Sequence, residues 1–273
     1  MKVDYKQRVC YYSDLLNDDF AGNDLEAKPL PDNFVYERKN VFFKVFSFLF
    51  YYTFAVPILL LIQWFSGVKV IGKHHLKKIK TGYFIYGNHT KWMDAIIPSP
   101  RLTFPRYTYM VSKTDALDIP FVRHLVQALG MFPLPTSYER YPEFFKAIEN
   151  HLAKKRPIVV YPEAHIWPFY TDVRPFPSSS FRYPAKYNVP VVPFFTIYRK
   201  NRGLWRLLYK DAPRMTLHIG EPFYPDPNKS LKENTEYLSK ATYDYMCHIR
   251  DTVPSVKYID YIFVEKSQKK INN

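Results

Sequence analysis

The sequence predicts an α/β fold, in which helices flank a sheet, preceded by an apolar helical hairpin associated with a membrane. Short β-type runs alternate with amphipathic helical runs after residue 68, and an uncharged apolar stretch comes just before them. Ionisable residues also stand directly after two of the predicted strands. Because functional residues of α/β folds gather at the carboxyl ends of strands, the pattern predicts the place of the site as well.

Residues 1–40 are expected to form an acidic, polar N-terminal segment. Eight acidic and four basic residues in the first 37 positions give that stretch a charge of −4. Because the whole chain has a net charge of +14, the remaining residues carry +18. A basic body attracts an anionic partner, which can be a nucleic acid, an anionic lipid surface or a phosphorylated substrate. Cys10 and Cys247 are too few for a disulfide framework or a cysteine-based zinc site.

The apolar segment, residues 41–68, is expected to contact the hydrocarbon of a membrane. No charged side chain occurs over residues 45–68, and about 20 apolar residues suffice to cross a bilayer as a helix. Pro57 near the middle predicts a break into two shorter helices. Basic residues flank both ends and give no crossing direction. We therefore expect a hairpin that dips into the bilayer, with a full span and a buried helix of a soluble core as the alternatives.

The α/β domain is expected over residues 69–225, followed by a C-terminal helix and a basic tail over residues 226–273. Apolar stripes at helical spacing predict helices over residues 141–155 and 233–250. Runs rich in β-branched and aromatic residues predict the strands. These runs are residues 68–72, 83–87, 107–111, 158–162, 190–198 and 215–220.

The first chemical groups follow the strand at 83–87. His89 lies in the turn after this strand, and Asp94 lies near the start of the next helix. A carboxylate placed there accepts the Nδ1 proton of the imidazole, so that the other ring nitrogen faces the cleft as a base. No serine nucleophile accompanies the pair, which suits an enzyme whose substrate supplies the attacking hydroxyl. A loop histidine bonded to a helix-capping aspartate is the structural alternative.

A second strand, at 158–162, ends in the same way. Glu163 and His165 stand at its exit, which suggests that they share a cleft with His89 and Asp94. Nitrogen and carboxylate groups also suit zinc or iron. No helical histidine pair and no cysteine supports that alternative, so we expect no metal.

Four short blocks of the sequence resemble, in order, the signature blocks of the glycerolipid acyltransferase family, the lysophosphatidate acyltransferase-like proteins. An apolar N-terminal segment precedes the blocks here, as it does in that family. The blocks are GNHTKWMD (87–94), ALGMFPLP (128–135), YPEAHIW (161–167) and NVPVVPF (188–194).

The resemblance implies a mixed sheet flanked by helices and a direct acyl transfer. His89 would act as general base on the free hydroxyl of a lysophospholipid, and Asp94 would orient the imidazole and stabilise the imidazolium. The hydroxyl would attack the thioester of acyl-CoA or of an acyl-carrier protein. Neither an acyl-enzyme nor a cofactor is implied, and the first acceptor to expect is 1-acylglycerol-3-phosphate.

The resemblance also assigns binding residues. Glu163 would position the acceptor, Gly130 and Phe132 would shape its pocket, and Pro190 and Pro193 would form the apolar wall for the acyl chain. We also expect His165, which stands beside Glu163 in the third block, to bind the acceptor.

The sequence departs from the family at two arginines associated with the acceptor's phosphate. The third block has Ala164-His165-Ile166 where the family has Gly-Thr-Arg, and the second block ends in Pro135 rather than arginine. A guanidinium binds phosphate with two parallel hydrogen bonds, so this loss leaves a different lysolipid open as the acceptor. Candidate replacements are Lys91, Lys113, Arg174 and Arg182.

The basic body would then meet an anionic membrane surface and the acidic acyl donor. This predicts a location at the cytoplasmic face of the cell membrane. A nucleic-acid-binding protein is an alternative of a different class, but no nucleic-acid motif supports it and the uncharged segment argues against it. An inactive lipid-binding relative is the other alternative.

Overall fold

The computed structural model describes residues 3–20, 29–31, 34–37, 40–95, 98–114 and 127–265. Its strands form a seven-stranded sheet in the order β2-β8-β7-β3-β6-β4-β5 and a separate parallel pair, β1-β9. Within the large sheet only the β7-β8 pair is antiparallel. The strands are β1 (Val9–Tyr12), β2 (Lys69–Ile71), β3 (Tyr83–Gly87), β4 (Tyr109–Ser112), β5 (Met131–Pro133), β6 (Pro157–Val160), β7 (Val191–Arg199), β8 (Arg214–Ile219) and β9 (Asp260–Phe263).

Helices cover the sheet, which confirms the α/β fold class with a mixed sheet. All six predicted strands are present, whereas β1, β5 and β9 were not predicted. Short 3-10 turns lie at Trp92–Ala95, Tyr138–Arg140 and Ser178–Phe181. The α-helices are α1 (Val41–Phe50), α2 (Val56–Phe65), α3 (His74–Lys78), α4 (Tyr141–Ala153), α5 (Arg182–Lys186), α6 (Leu204–Tyr209) and α7 (Leu231–Thr252).

Side chains alternate between the two faces of the central strand β3, because successive residues of a strand point to opposite sides. Ile85 packs on one face in a cluster that includes Leu102. Phe84 and Tyr86 pack on the other face, in a cluster with α4 and with Leu238 of α7. The carboxyl end of β3 is therefore supported from both sides before the chain leaves the sheet.

The apolar N-terminal segment is one continuous helix over Val41–Phe65, so the expected hairpin is wrong. A π-helical turn, Tyr51–Ala55, joins α1 to α2 and comes directly before Pro57. Widening the helix by one residue per turn there lets it continue past a residue that lacks an N–H and crowds the preceding carbonyl. Only 17% of its most apolar window is buried, so it is not the buried core helix considered above. By length and composition this helix could associate with a membrane or cross it.

The described part of the acidic N-terminal segment belongs to the fold. β1 pairs with β9 near the other end of the chain, and Cys10 and Phe20 are buried in the core. The lysine-rich tail predicted for the C terminus lies outside the described residues. The C-terminal helix α7 begins with a capping box between Ser230 and Glu233.

Candidate active site

The turn after β3 places His89 beside Asp94. The imidazole Nδ1 lies 3.1 Å from Oδ2 of Asp94, and the two side chains are 16% and 2% exposed. Gly87 comes just before the turn, and a Cβ there would lie 2.0 Å from the Phe194 ring. Only glycine therefore lets β3 and β7 approach each other where the turn begins.

A single carboxylate oxygen of Asp94 organises this turn. Oδ2 accepts hydrogen bonds from the backbone N–H groups of Thr90 (2.6 Å) and Lys91 (2.8 Å) as well as from the imidazole. The amide of Asn88 fixes the turn to the sheet, because its Oδ1 accepts the Thr196 N–H at 2.8 Å. The carboxylate therefore holds both the backbone and the ring orientation of the histidine.

The second imidazole nitrogen of His89, Nε2, makes no hydrogen bond to any residue that the structure describes. The ring stacks on Tyr161, with 4.4 Å between centroids, and the Tyr161 hydroxyl donates to the backbone oxygen of Asp94 at 2.6 Å. With the proton of Nδ1 directed at Asp94, Nε2 presents a lone pair. The arrangement is that of a general base oriented by a carboxylate.

The loop that follows β6 makes several hydrogen bonds to the backbone of the His89 turn. The Glu163 carboxylate accepts the His89 N–H at 3.1 Å. The Trp167 N–H donates to the backbone oxygen of His89 at 3.0 Å, and the Phe169 N–H donates to that of Thr90 at 3.1 Å. The two strand ends predicted to share a cleft are thus in direct contact.

Glu163 and Arg174 form a buried ion pair, each with a side chain 1% exposed and with 3.0 Å between Nη2 and Oε2. The Glu163 carboxylate also accepts the Arg174 N–H at 3.3 Å, and the guanidinium lies 4.9 Å from the Trp167 ring centroid. Burial raises the pKa of Glu163, and the charge of Arg174 opposes that rise. Both side chains make their charged contacts inside the protein. A role for either in acceptor binding stays a prediction.

Lys91 and His165 retain exposure near the turn. The Lys91 ammonium lies 4.2 Å from the Phe169 ring centroid, and burial lowers the pKa of this lysine to about 8. His165 Nδ1 lies 2.9 Å from Oδ2 of Asp19 and 3.2 Å from Nζ of Lys113. His165 therefore lies in a charged cluster with an N-terminal aspartate, and Lys113 is one of the cations considered as a replacement for the missing arginines.

The other predicted binding residues lie deeper in the sheet. Gly130 precedes β5 at a φ of +92°, where a Cβ would meet the Thr108 oxygen at 2.1 Å. Phe132 is a core side chain, 4.8 Å from the Phe144 ring centroid. Pro190 and Pro193 are buried at the start of β7 and within it. Pro193 stands opposite Tyr86, next to the carboxyl end of β3, and the binding roles of all four residues stay predictions.

Sequence reasoning missed two aromatic residues of the site, Tyr161 and Trp167. Both lie in the third block, on either side of Glu163, so their position next to a chemical residue was the available signal. Trp167 is fully buried, and its indole N–H donates to the Asp18 backbone oxygen at 2.7 Å. Its partners come from the N-terminal segment, which no local pattern indicated.

No group of three or more His, Cys, Asp or Glu side chains suited to a metal ion occurs in the described part of the chain. His89 and Asp94 are joined to each other, and Glu163 is joined to Arg174. The arrangement supports proton transfer by side chains.

Comparison with known proteins agrees with this geometry. The model of the family Acyltransferase matches residues 67–197, which include the His89 turn and the loop after β6. This match confirms the family resemblance and the acyltransferase class predicted from the sequence. No curated protein sequence matches the chain.

The fold is similar to a solved structure, the 1-acyl-sn-glycerophosphate (LPA) acyltransferase PlsC from Thermotoga maritima. The alignment covers 79% of this chain and 96% of that one, at 17% sequence identity and a TM-score of 0.51. At 17% sequence identity this similarity shows a shared fold only. Residues 67–197 of the chain therefore match the acyltransferase family.

Proposed function

We propose that the protein transfers a fatty acyl group from an acyl thioester, acyl-CoA or acyl-carrier protein, to the free hydroxyl of a lysophospholipid. The proposal rests on one observation. His89 Nδ1 is hydrogen-bonded to Asp94, while Nε2 makes no hydrogen bond within the described residues. A base in this state suits a hydroxyl that arrives with the substrate. The membrane-associated helix supports a lipid acceptor.

The reaction follows from this geometry. His89 Nε2 takes the proton of the acceptor hydroxyl as its oxygen attacks the thioester carbonyl carbon. A carbon–oxygen bond forms, the carbon–sulfur bond breaks, and the proton passes from the imidazolium to the departing thiolate. Asp94 stabilises the imidazolium during this exchange. No serine, threonine or cysteine side chain among the described residues hydrogen-bonds to His89, so the hydroxyl of the acceptor serves as the nucleophile.

Glu163 acts in this proposal as a positioning residue. Its carboxylate accepts a hydrogen bond from the His89 N–H, and the buried Arg174 side chain donates a hydrogen bond to the same carboxylate. The pair fixes the backbone from which the base projects, because displacements of about 1 Å reduce catalysis substantially.

The acceptor to test first is 1-acylglycerol-3-phosphate. Its phosphate needs cations, and Ile166 and Pro135 stand where the family has arginines. Lys113, whose Nζ lies 3.4 Å from Oδ2 of Asp19, is partly exposed beside the site loop and supplies positive charge in this proposal. His165 lies next to it as a polar group. If these groups select a different head group, another lysolipid is the preferred acceptor.

The donor and the location follow from charge. The +18 charge of the chain after residue 37 attracts the anionic cytoplasmic leaflet and the acidic donors, CoA thioesters and acyl-carrier protein. We therefore place the reaction at the cytoplasmic face of the cell membrane, in phospholipid synthesis.

The test is an acyl-transfer assay with detergent-solubilised protein, labelled acyl-CoA or acyl-carrier protein, and a panel of lysolipids that includes 1-acylglycerol-3-phosphate. Wild type should form a diacyl product detected by mass, and His89→Ala should form none. Asp94→Asn should retain the hydrogen bonds of the turn but lose tautomer control, which lowers kcat by about 10⁴-fold.

Circular dichroism and thermal unfolding show whether both variants are folded. Normal activity of a folded His89→Ala protein would refute the assignment. A wild type that makes no product with any acceptor and either donor would instead indicate an inactive lipid-binding relative.

A further inference from the structure

A cavity lies at the opposite end of the sheet from His89. It has a volume of about 620 Å³ and opens beside the amino ends of two strands, next to Tyr109 at the start of β4 and Arg156 just before β6. His89 follows the carboxyl end of β3, which is parallel to β6. One wall of the cavity is the apolar helix, through Ser47, Phe48 and other residues.

The wall of this cavity is strongly cationic. It contains five basic side chains and, among its described lining residues, one carboxylate, that of Glu37. Glu37 accepts a hydrogen bond from Lys154 at 3.2 Å, which leaves an excess of positive charge. An anion is therefore favoured in the cavity. The basic side chains are Lys44, Arg106, Lys154, Lys155 and Arg156.

Arg156 is held in a defined orientation at this wall. Its Nη1 donates to the Tyr109 hydroxyl at 3.1 Å, and its guanidinium lies 5.5 Å and 5.6 Å from the ring centroids of Tyr107 and Tyr109. A guanidinium fixed against aromatic rings is preorganised to receive a phosphate, because little side-chain entropy is then lost on binding.

Buried polar atoms without a hydrogen-bond partner also line the cavity, although His151 Nδ1 lies 3.8 Å from Oε1 of Glu37. Both ring nitrogens of His151, the hydroxyl of Tyr36 and the hydroxyl of Ser47 are buried and make no hydrogen bond to any described residue. Buried polar groups in native proteins are nearly always hydrogen-bonded, since an unpaired one costs about 1–3 kcal/mol. These three side chains come from three separate parts of the chain, yet they border one space. Phosphate oxygens would accept from the two hydroxyls and from the imidazole N–H, and a hydroxyl of the headgroup would donate to the other ring nitrogen.

The apolar side of the same region indicates a lipid. Helix α1 contributes cavity residues and also carries exposed aromatic and aliphatic side chains, among them Phe42 at 87% exposure, Phe46 and Leu49. A headgroup in the cavity would therefore lie beside a surface suited to acyl chains. A water-soluble phosphate compound would leave that apolar surface unused.

We propose that this cavity binds the headgroup of an anionic phospholipid of the membrane, with the phosphate at Lys44, Lys155 and Arg156 and the acyl chains along helix α1. The site is separate from the His89 turn and does not depend on the function proposed above. It would fix the depth and orientation of the protein at the bilayer.

The test uses dihexanoyl phosphatidylglycerol, a short-chain phospholipid that is monomeric in water below its critical micelle concentration. Its binding to the full chain is measured by isothermal titration calorimetry below that concentration. We expect saturable binding with one site per chain, and much weaker binding of dihexanoyl phosphatidylcholine. Inorganic phosphate should not compete at millimolar concentration.

The variant to test is Lys44→Gln with Lys155→Gln. We expect binding about 25-fold weaker, since each of the two cations near a lipid phosphate contributes about fivefold. The matched control is Lys232→Gln with Lys240→Gln on α7, where both side chains are largely exposed and do not line the cavity. This pair removes the same charge and should leave the affinity unchanged. A second variant, Ser47→Phe, fills the cavity without changing charge and should also abolish binding.

Several results would overturn the proposal. These are a linear, unsaturable titration, equal binding of the choline lipid, full competition by inorganic phosphate, or equal losses in the Lys232 and Lys240 control. Acyl transfer by the same protein samples is measured in parallel. Because the lysine variants leave the His89 turn intact, loss of lipid binding with normal transfer separates this site from the reaction.

Discussion

Glu163 connects the His89 turn to a buried charge in the loop after β6. Its carboxylate accepts the His89 N–H and pairs with a guanidinium that is itself buried. An ion pair of this kind is sensitive to the loss of one partner, because the remaining charge stays in the interior without compensation. Its contribution to stability is therefore best measured by removing one charge and then both.

We expect Glu163→Gln to lower the free energy of unfolding by about 3 kcal/mol, because Arg174 is left as an unpaired buried charge. Adding Arg174→Met should restore most of that loss, since a methionine fills similar space without a charge. Denaturant unfolding of the two variants in detergent checks this. A double variant no more stable than the single one would show that the charge pair is not the source of the loss.

A second residue-scale prediction concerns His151, which is 2% exposed. Burial, with Arg156 and Lys154 nearby, lowers the pKa of His151 to about 3. In the unfolded chain this histidine binds a proton near pH 6.5, so between pH 6.5 and pH 3 the unfolded state holds more protons than the folded state. Above pH 6.5 the titration of His151 therefore has no effect on the free energy of unfolding, and below pH 6.5 this free energy decreases as the pH falls.

From pH 8 to pH 5, wild type should lose about 2 kcal/mol more stability than His151→Phe, which keeps a ring stacked on Tyr109. Denaturant unfolding at pH 8, 6.5, 5.5 and 5 measures the difference. Other histidines titrate equally in both proteins and cancel. Parallel pH dependences in the two proteins would contradict the predicted burial of a neutral His151.

The His89 and Asp94 pair was predictable from sequence because both residues belong to one short turn, where spacing determines contact. The Glu163 and Arg174 pair was not, since an ion pair across a loop depends on how that loop folds back over the turn. In the sequence, Arg174 was one of several basic residues with nothing to distinguish it from a cation on the protein surface. Burial beneath Trp167 is a property of the tertiary structure, and no periodicity reports it.

At the scale of elements, the apolar helix shows how a local rule can mislead. Pro57 predicted a break, because proline removes one hydrogen bond and crowds the preceding turn. Instead the turn Tyr51–Ala55 widens into a π-helix. Tyr51 is buried and lies 4.2 Å from the Tyr107 ring centroid. Contact with the domain therefore holds the widened turn, and this contact could not be known before the fold.

This helix should govern membrane binding. Ile58 and Leu61 are 53% and 55% exposed on α2, and a lysine at the centre of a membrane helix costs about 2.5–3.5 kcal/mol. We expect Ile58→Lys with Leu61→Lys to weaken partitioning into phosphatidylcholine vesicles by about 100-fold or more. Vesicle flotation with quantified protein measures this effect.

The matched control places the same two lysines at Leu231 and Tyr237, which are partly exposed on α7. This helix packs on the opposite face of the sheet from Leu102. Flotation of the control should equal that of wild type. An equal loss in the control would show that added charge, rather than the apolar face of the helix, controls the partitioning.

At the scale of the whole molecule, the two ends of the described chain meet around the site loop. Trp167 lies 5.0 Å from the Tyr12 ring and 5.0 Å from the Tyr261 ring, stacked on the latter. The Phe20 ring lies 5.1 Å away on another side. This cluster connects β1 and β9 to the loop that holds His89. Strand and helix periodicity predicted the central sheet, but a pair of four-residue strands from distant parts of the chain carries no local signal.

Trp167→Ala should reduce stability by about 3–5 kcal/mol, because it removes a fully buried aromatic side chain. It should also loosen the N-terminal segment, so that trypsin cleaves at Lys6 and Arg8 faster. Trp205→Ala serves as the control, since Trp205 is only half-buried and packs near Trp64. Unchanged cleavage in Trp167→Ala would show that β1 is held independently of the loop.

The pairing of β1 with β9 also has a consequence for the order of events during synthesis. The apolar helix Val41–Phe65 is translated early, so it is available to a bilayer while most of the sheet does not yet exist. Tyr261, by contrast, is among the last of the described residues to leave the ribosome. Contacts between distant parts of a chain form late because they close long loops. We therefore expect the apolar helix to contact a bilayer before β9 exists, and the contacts of Trp167 with Tyr261 to form only after Tyr261 has been translated.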